Sequence, residues 1–308
     1  MRSEIRKDYI QDKYVLIAPR RGKRPHDVER PERLKPPSKT SCVFCPLAMR
    51  KRGQKFLEVV GRPENWELVA IPNGFPAVTP TNPKAYGQQE VVIETPDHRA
   101  EVENLSVSQL TKLFKLYGDR TSAITRDKKI DYVLIFKNEG GAAGASLVHA
   151  HSQIFATQFL PPHLKDKSDR VHDYKIKTGR CVYCDVVKKE SRGARRVFED
   201  ANLLAFCPYA SMHNYEIWIV PKRHIDNVSL LTDAERKSLA TMLKKILKKI
   251  GRLKLPYNYY FHQVVHDKDQ HLYLKITPRG SVWAGVEIGS GLIINPIAPE
   301  EAAEFYRK

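Results

Sequence analysis

Two stretches of the chain carry apolar residues at the three- and four-residue spacing of a helix with one buried face. They are Val107, Leu110, Leu113, Phe114 and Tyr117 in one, and Leu239, Met242, Leu243 and Ile246 in the other. Each is led by a hydroxyl with Gln or Glu three residues on, Ser106 with Gln109 and Thr232 with Glu235, the pattern of a capping box. Ahead of each lies a strand-like apolar run, VVIETPDH ending at His98 and EIWIVPKRH ending at His224. Behind each lies another, Tyr132–Phe136 and Tyr257–Phe261. A final strand carries His149-Ala150-His151-Ser152-Gln153 in the first half and His271-Leu272-Tyr273-Leu274-Lys275 at the matching place in the second. The chain therefore reads as one unit written twice, with its boundary near residue 165: residues 1–165, then 166–308. Residues 158–180 show no clear apolar period and read as a charged, in part helical connection. Residues 24–39, rich in Pro, Arg and Lys, read as an extended loop.

Composition narrows the setting. A chain of 308 residues with 42% hydrophobic content can bury two cores. The opening MRSEIRKDYI is charged where a secretory signal needs an apolar run, and no stretch reaches the length of a membrane span, so a cytoplasmic protein without a membrane partner is expected. A formal charge of +17 points to an anionic partner without choosing among phosphates, nucleic acids and acidic surfaces. A lysine-rich solvated surface accounts for much of it.

Four of the five cysteines form two CxxC pairs, Cys42/Cys45 and Cys181/Cys184, which in a cytoplasmic chain suggests metal before disulfide. Cys207, between Phe206 and Pro208, reads as an apolar filler. A structural zinc needs four N or S ligands, and the repeat offers the missing pair twice at matching positions: His98 and His149, then His224 and His271. Two fully protein-ligated, structural zinc sites per chain are the expectation.

In a strand alternate residues share a face, so His149, His151 and Gln153 point one way. Just before them, residues 136–146 (FKNEGGAAGAS) form a Gly/Ala-rich loop whose backbone N–H groups can approach an anion closely. A phosphate beside a nucleophilic histidine is the natural occupant.

This run, with Asn138, Gly144, Ser146 and then HxHxQ, resembles the active-site signature of galactose-1-phosphate uridylyltransferases, a branch of the histidine-triad superfamily. The likeness extends over APRRGKRP, CVFC, PNGFPAV, ETPDH, VPKRH and the C-terminal AGVEIGSGLIINPIAPEEAAEFYR. It implies an α+β fold of tandem histidine-triad-like domains, each an antiparallel sheet with packed helices, and a homodimer. It implies His151 as the nucleophile that carries a nucleoside monophosphate from UDP-glucose to galactose 1-phosphate in two steps. Gln153, Ser146 and Asn138 would hold phosphoryl oxygens. Arg21 and Arg24 would meet phosphates, Asn73 and Phe75 would line the nucleoside pocket, and Glu287 would reach the hexose in the neighbouring subunit's site. A third histidine at the place of Gln153 marks the hydrolase branch, so Gln153 favours transfer. The second half, with Tyr273 and Lys275 in place of His151 and Gln153, is expected to be catalytically silent.

The chain departs from the family pattern in places. Lys275 and Thr277 stand where some members carry an iron-binding HxH pair. The segment after Glu287, IGSGLIINP, is worded more like the related ADP-glucose phosphorylases, and Gly74 replaces a common Asp. The alternative is therefore a nucleotide-sugar phosphorylase or adenylyltransferase using the same histidine. A basic, zinc-bearing nucleic-acid-binding protein is the remote one, and it leaves HAHSQ unexplained.

Overall fold

The computed structural model describes residues 2–23, 38–39 and 41–308. Strands β1 (Glu4–Lys7) and β2 (Tyr14–Ile17) open the chain, and helix α1 (Pro46–Lys51) starts directly after Cys45. The first repeat then runs β3 (Glu58–Arg62), β4 (Asn65–Pro72), β5 (Gly87–Ile93), α2 (Val107–Ile124), β6 (Tyr132–Glu139) and β7 (His151–Thr157). Helices α3 (Pro162–Thr178) and α4 (Val182–Glu190) lead into the second: β8 (Arg196–Glu199), β9 (Leu203–Phe206), β10 (Ile217–Pro221), α5 (Asp233–Arg252), β11 (Tyr257–His262) and β12 (Tyr273–Pro278). Helix α6 (Gly285–Ser290), strand β13 (Ile293–Asn295) and helix α7 (Pro299–Arg307) close the chain.

The ten repeat strands form one sheet in the order β3-β4-β5-β7-β6-β11-β12-β10-β9-β8, a palindrome of the two copies. They meet antiparallel at β6 and β11, with Asn138 opposite Asn258 and Phe136 opposite Tyr260. The doubled unit anticipated from the repeat is thus an α+β fold whose halves share a sheet. Position 165 lies inside α3. The small sheet β1-β2-β13 lies to one side, with β13 parallel to β2.

Helices α2 and α5 cover one face. Their apolar stripes pack with Val133, Ile135 and Ile154 of the first half and Ile219, Leu274 and Ile276 of the second in a single core. Helix α5 opens with a complete capping box: Thr232 accepts from the Glu235 N–H, and Glu235 accepts from the Thr232 N–H. Helix α2 has only half of one. Ser106 accepts from the Gln109 N–H, but the Gln109 side chain reaches the Glu94 carbonyl instead.

The other face is covered separately in each half. Phe44, Met49 and the CxxC loop lie over Val91 and Ile93 of the first. Helices α3 and α4 with Tyr9 lie over Phe206, Trp218 and Tyr273 of the second. The charged connection over residues 158–180, read as helical in part, is helical over most of its length as α3, ended by Gly179 in the left-handed region (φ 71°). Its buried stripe is Leu164, Lys167, Ser168 and Val171, helically spaced but half polar, which hides the period.

A candidate nucleotidyl-transfer centre on the seventh strand

Strand β7 begins at His151, two residues later than the HAHSQ pattern suggested: the His149 imidazole turns to the CxxC loop, while the Ala150 carbonyl still accepts from the Glu94 N–H at 3.1 Å. Its register puts His151 beside Ile93 and Gln153 beside Val91 and Phe136, on the face opposite α2 and α5.

His151 is 8% exposed, under the Phe44 ring at 5.2 Å. Its Nδ1 lies 2.8 Å from the His149 carbonyl oxygen. A carbonyl only accepts, so Nδ1 carries the proton and Nε2 keeps its lone pair. Burial first, and then the Lys137 ammonium, pull the imidazole below its ordinary pKa, which keeps it neutral and nucleophilic near pH 7.

Behind the strand, on the helix face, lies a buried charge network. Lys137 Nζ donates to Glu94 Oε2 at 2.7 Å and to the His151 carbonyl at 3.0 Å. The hydroxyls of Tyr117 and Tyr259 reach the other Glu94 oxygen at 3.3 and 3.2 Å, and Tyr117 bonds Ser152 at 2.6 Å. Burial pulls the Lys137 pKa down, but Glu94 and Glu139 outweigh it and the net shift is upward.

Around Gln153 three side-chain amides interlock. Gln89 Nε2 and Asn73 Nδ2 both donate to Gln153 Oε1, at 3.0 and 3.3 Å. On β6, Asn138 Oδ1 accepts from Asn258 Nδ2 at 2.8 Å, and the same Nδ2 donates to the Ala143 carbonyl at 2.7 Å. The loop that follows turns at Gly140 and Gly144, with φ of 84° and 89°, a region costly to side chains, and a Cβ on Gly144 would sit 3.6 Å from Asn138 Nδ2. Ser146 is exposed on the same loop.

Of the remaining expected residues, Phe75 is 95% exposed, its N–H bonded to Asn73 Oδ1. Arg21 sits in the turn after β2, and Glu287 on α6 before β13, so the small sheet brings them together. The bond from the Ala284 N–H comes first among the causes that hold the Glu287 carboxyl below its usual range, and the Arg21 charge adds to it. Among the described residues, neither bonds to the amide cluster. Arg24 lies outside the described residues.

Cys42, Cys45, His98 and His149 gather with their ligand atoms within 4.8 Å of one another, as do Cys181, Cys184, His224 and His271. The first group is buried. The second is half-buried at its cysteines and exposed at His224. Two ligands of a tetrahedral zinc, sulfur and nitrogen, stand about 3.5 Å apart. Here Cys42 Sγ to His149 Nδ1 is 3.5 Å, Cys45 Sγ to His98 Nδ1 is 3.4 Å and Cys184 Sγ to His224 Nδ1 is 3.5 Å. Moreover His149, His224 and His271 each use Nε2–H on a backbone carbonyl, of Thr95, Lys268 and Pro221, all at 2.8 Å. Their Nδ1 lone pairs therefore face the sulfurs, a donor set that fits a cation. Burial and the neighbouring Cys42 push the Cys45 thiol up to about 11, a cost that a bound divalent ion would reverse.

The matching place in the second half is filled. Tyr273 stacks on Trp218 at 4.3 Å and on His262 at 4.6 Å, and α3 sends Lys167 Nζ to its hydroxyl at 2.5 Å. Lys275 is buried against Glu216 at 2.8 Å. Among the described residues, no free nucleophile remains at that position.

Pattern reasoning missed Lys137, Glu94, Gln89 and Asn258. Lys137 and Glu94 were visible as charges at positions whose alternation faces the core. Gln89 and Asn258 join the site only through cross-strand register.

Comparison with known proteins gives a consistent picture. Residues 1–161 match the family model for the galactose-1-phosphate uridyl transferase N-terminal domain, and residues 167–275 that for its C-terminal domain. The chain is 31% identical to an ADP-glucose phosphorylase of Arabidopsis thaliana, over 99% of this chain and 92% of that protein. It is 29% identical to a galactose-1-phosphate uridylyltransferase of Thermotoga maritima, over 99% and 98%. Among solved structures, an Arabidopsis thaliana ADP-glucose phosphorylase with bound ADP-glucose superimposes with a TM-score of 0.88 at 31% identity, covering 100% of this chain and 99% of that one. A uridylyltransferase superimposes with a TM-score of 0.77 at 29% identity, covering 99% and 97%.

Proposed function

The chain belongs to the galactose-1-phosphate uridyl transferase family, and from that premise we propose that it transfers a nucleoside monophosphate through a covalent intermediate on His151. The observation that carries the proposal is the Nδ1 bond from His151 to the His149 carbonyl, which leaves Nε2 as the free nucleophile. Nε2 attacks the α-phosphorus of a nucleotide sugar, and the bond from that phosphorus to the bridging oxygen breaks. The sugar 1-phosphate leaves with the electron pair. The Nδ1 proton stays on the ring, bonded to the His149 carbonyl, which stabilises the charge the ring gains. An acceptor phosphate oxygen then attacks the same phosphorus and returns Nε2 to its starting state. Gln153, Asn138, Ser146 and the amides of residues 140–146 serve as fixed donors to the phosphoryl oxygens. Gly144 lets the backbone approach, Asn73 and Phe75 line the nucleoside pocket, and Arg21 meets a phosphate. In a homodimer Glu287 would meet the hexose in the neighbouring subunit's site.

Zinc is the ion we assign to the two Cys/His groups. With all four positions supplied by protein it would be structural, tying the first CxxC loop to the start of β7.

The finer question is the cargo. The uridylyltransferase reading passes UMP from UDP-glucose to galactose 1-phosphate. The ADP-glucose phosphorylase reading passes AMP from ADP-glucose to inorganic phosphate, giving ADP. Both release glucose 1-phosphate in the first step. The second is supported by the higher TM-score, 0.88 against 0.77, and by the wording after Glu287, so we place it first. Intact-mass measurement after mixing with each nucleotide sugar tests both layers. An adenylyl adduct lost in His151→Ala, and cleared by phosphate to give ADP, is expected. A uridylyl adduct cleared only by galactose 1-phosphate would reverse the order, and an adduct on His151→Ala would overturn the mechanism.

A further inference from the structure

Gln153 can help transfer only if its NH2 group faces the phosphoryl group, and an amide presents either end with nearly equal ease in shape. What decides its orientation lies outside the HxHxQ motif. The Ala77 backbone N–H lies 2.9 Å from Gln89 Oε1, and the Phe75 N–H lies 2.8 Å from Asn73 Oδ1. A backbone N–H can only donate, so the atoms facing it must be the side-chain oxygens. The NH2 groups of Gln89 and Asn73 are then forced outward, and both point at Gln153, at 3.0 and 3.3 Å. Gln153 must answer two donors with its oxygen. Its own NH2 is left without a partner among the described residues, on the strand face it shares with His151. The Asn73 N–H adds a bond to the Gln89 carbonyl at 3.0 Å, so β4 and β5 hold both amides in register.

We propose that Gln89 is a positioning residue for transfer: with Asn73 it relays the fixed polarity of two backbone N–H groups to Gln153 and locks that amide with its donors towards the reacting phosphorus. The inference rests on the His151 reading of function and adds the residue that sets the polarity of its donor. The Gln89 side chain bonds the Ala77 N–H and Gln153, not His151.

The discriminating substitution is Gln89→Glu. The introduced carboxylate still accepts from Ala77 but has nothing to donate, so Gln153 turns its NH2 to that carboxylate and presents oxygen to the phosphoryl group. Gln89→Ala merely removes one tether. Single-turnover nucleotidylation of His151 is expected to fall about tenfold in Gln89→Ala and on the order of 100-fold in Gln89→Glu, with the nucleotide-sugar dissociation constant and the melting temperature little changed. In a Gln153→Ala background Gln89→Glu should have no further effect. Full activity of Gln89→Glu, or a loss that adds to that of Gln153→Ala, would overturn the proposal. Proton exchange of the Gln153 side-chain amide, read by selective 15N-glutamine labelling of the free protein, gives an answer without turnover. Fast exchange in the wild type and protection in Gln89→Glu are expected, and protection already in the wild type would refute the orientation. Should the wild type take no label from any nucleotide sugar, the functional reading fails while this readout still judges the amide.

Discussion

Replacing Lys137 by Met should be among the most damaging single changes in the chain, and replacing Glu94 by Leu at the same time should undo most of the damage. The two groups are 1% and 0% exposed and 2.7 Å apart. At that separation, with an effective dielectric constant of about 20, their attraction is about 6 kcal/mol, close to the several kcal/mol each ion loses on leaving water. As a pair they nearly break even. Alone, Glu94 keeps only the two tyrosine hydroxyls, at 3.2 and 3.3 Å, against a full charge in the core. Stranding it costs about 3–5 kcal/mol. At roughly 2 °C per kcal/mol for a chain of this size, Lys137→Met should melt about 6–10 °C lower. The double variant should recover more than half of that loss, because no charge remains to be solvated. It should still transfer more slowly than the wild type, since the Lys137 tether on the His151 carbonyl, at 3.0 Å, is gone. Thermal melts of the wild type, both single variants and the double variant complete the cycle. Additive losses, or a Lys137→Met melt within a degree of wild type, would refute the idea that burial of a lone charge sets the magnitude.

Two further outcomes can be measured with the same protein. Burial, and then Glu139, push the Glu101 carboxyl up to about 8, so the native state holds a proton that the unfolded chain has lost. Stability should therefore fall as pH rises from about 5 to 9, and Glu101→Gln should raise the melting temperature at pH 9 while leaving it unchanged at pH 5. An equal shift at both values would refute the assignment. Chelation, or Cys45→Ala, should lower the melting temperature and remove one bound ion per chain in the variant by elemental analysis. Unchanged metal content would show that Cys45 is not a ligand.

The features legible in the sequence are those with a local period or a paired spacing. The apolar stripes of α2 and α5 face the shared core, and the two CxxC pairs sit beside the histidines the repeat nominated. The extent and buried face of helix α3 escaped because Lys167 and Ser168 occupy its buried stripe, and their partners, Tyr273, Asp267 and Gln270, are about a hundred residues away. Gln89 and Asn258 escaped for the same reason. A polar residue in a strand reads as solvent-facing until the register sets it beside Gln153 or Asn138. Lys137 is the instructive case: YVLIFKN alternates so that Lys137 falls on the side of Val133 and Ile135, a core position, and Glu94 closes VVI on the equivalent face. Two opposite charges at core positions of one sheet, on either side of β7, meet as a buried pair.

The second half separates what the Cys/His groups do from what His151 does. Its two cysteines and two histidines gather as in the first half, with the same Nε2-to-carbonyl bonds behind His271 as behind His149. Yet the residue two places on is Tyr273, packed between Trp218 and His262 with Lys167 on its hydroxyl. Beside a filled position the same group still joins the start of the strand to the CxxC turn, through His271 and Cys184, which favours the structural role proposed for it. In the first half the same pin has a second consequence, because His149 also supplies the carbonyl that fixes the tautomer of His151. The transfer chemistry proposed for His151 then rests on the residues in which the halves differ, an imidazole for a phenol and an amide for a buried lysine. What covers the two positions differs as well: the Phe44 ring lies over His151, whereas α3 sends Lys167 onto Tyr273.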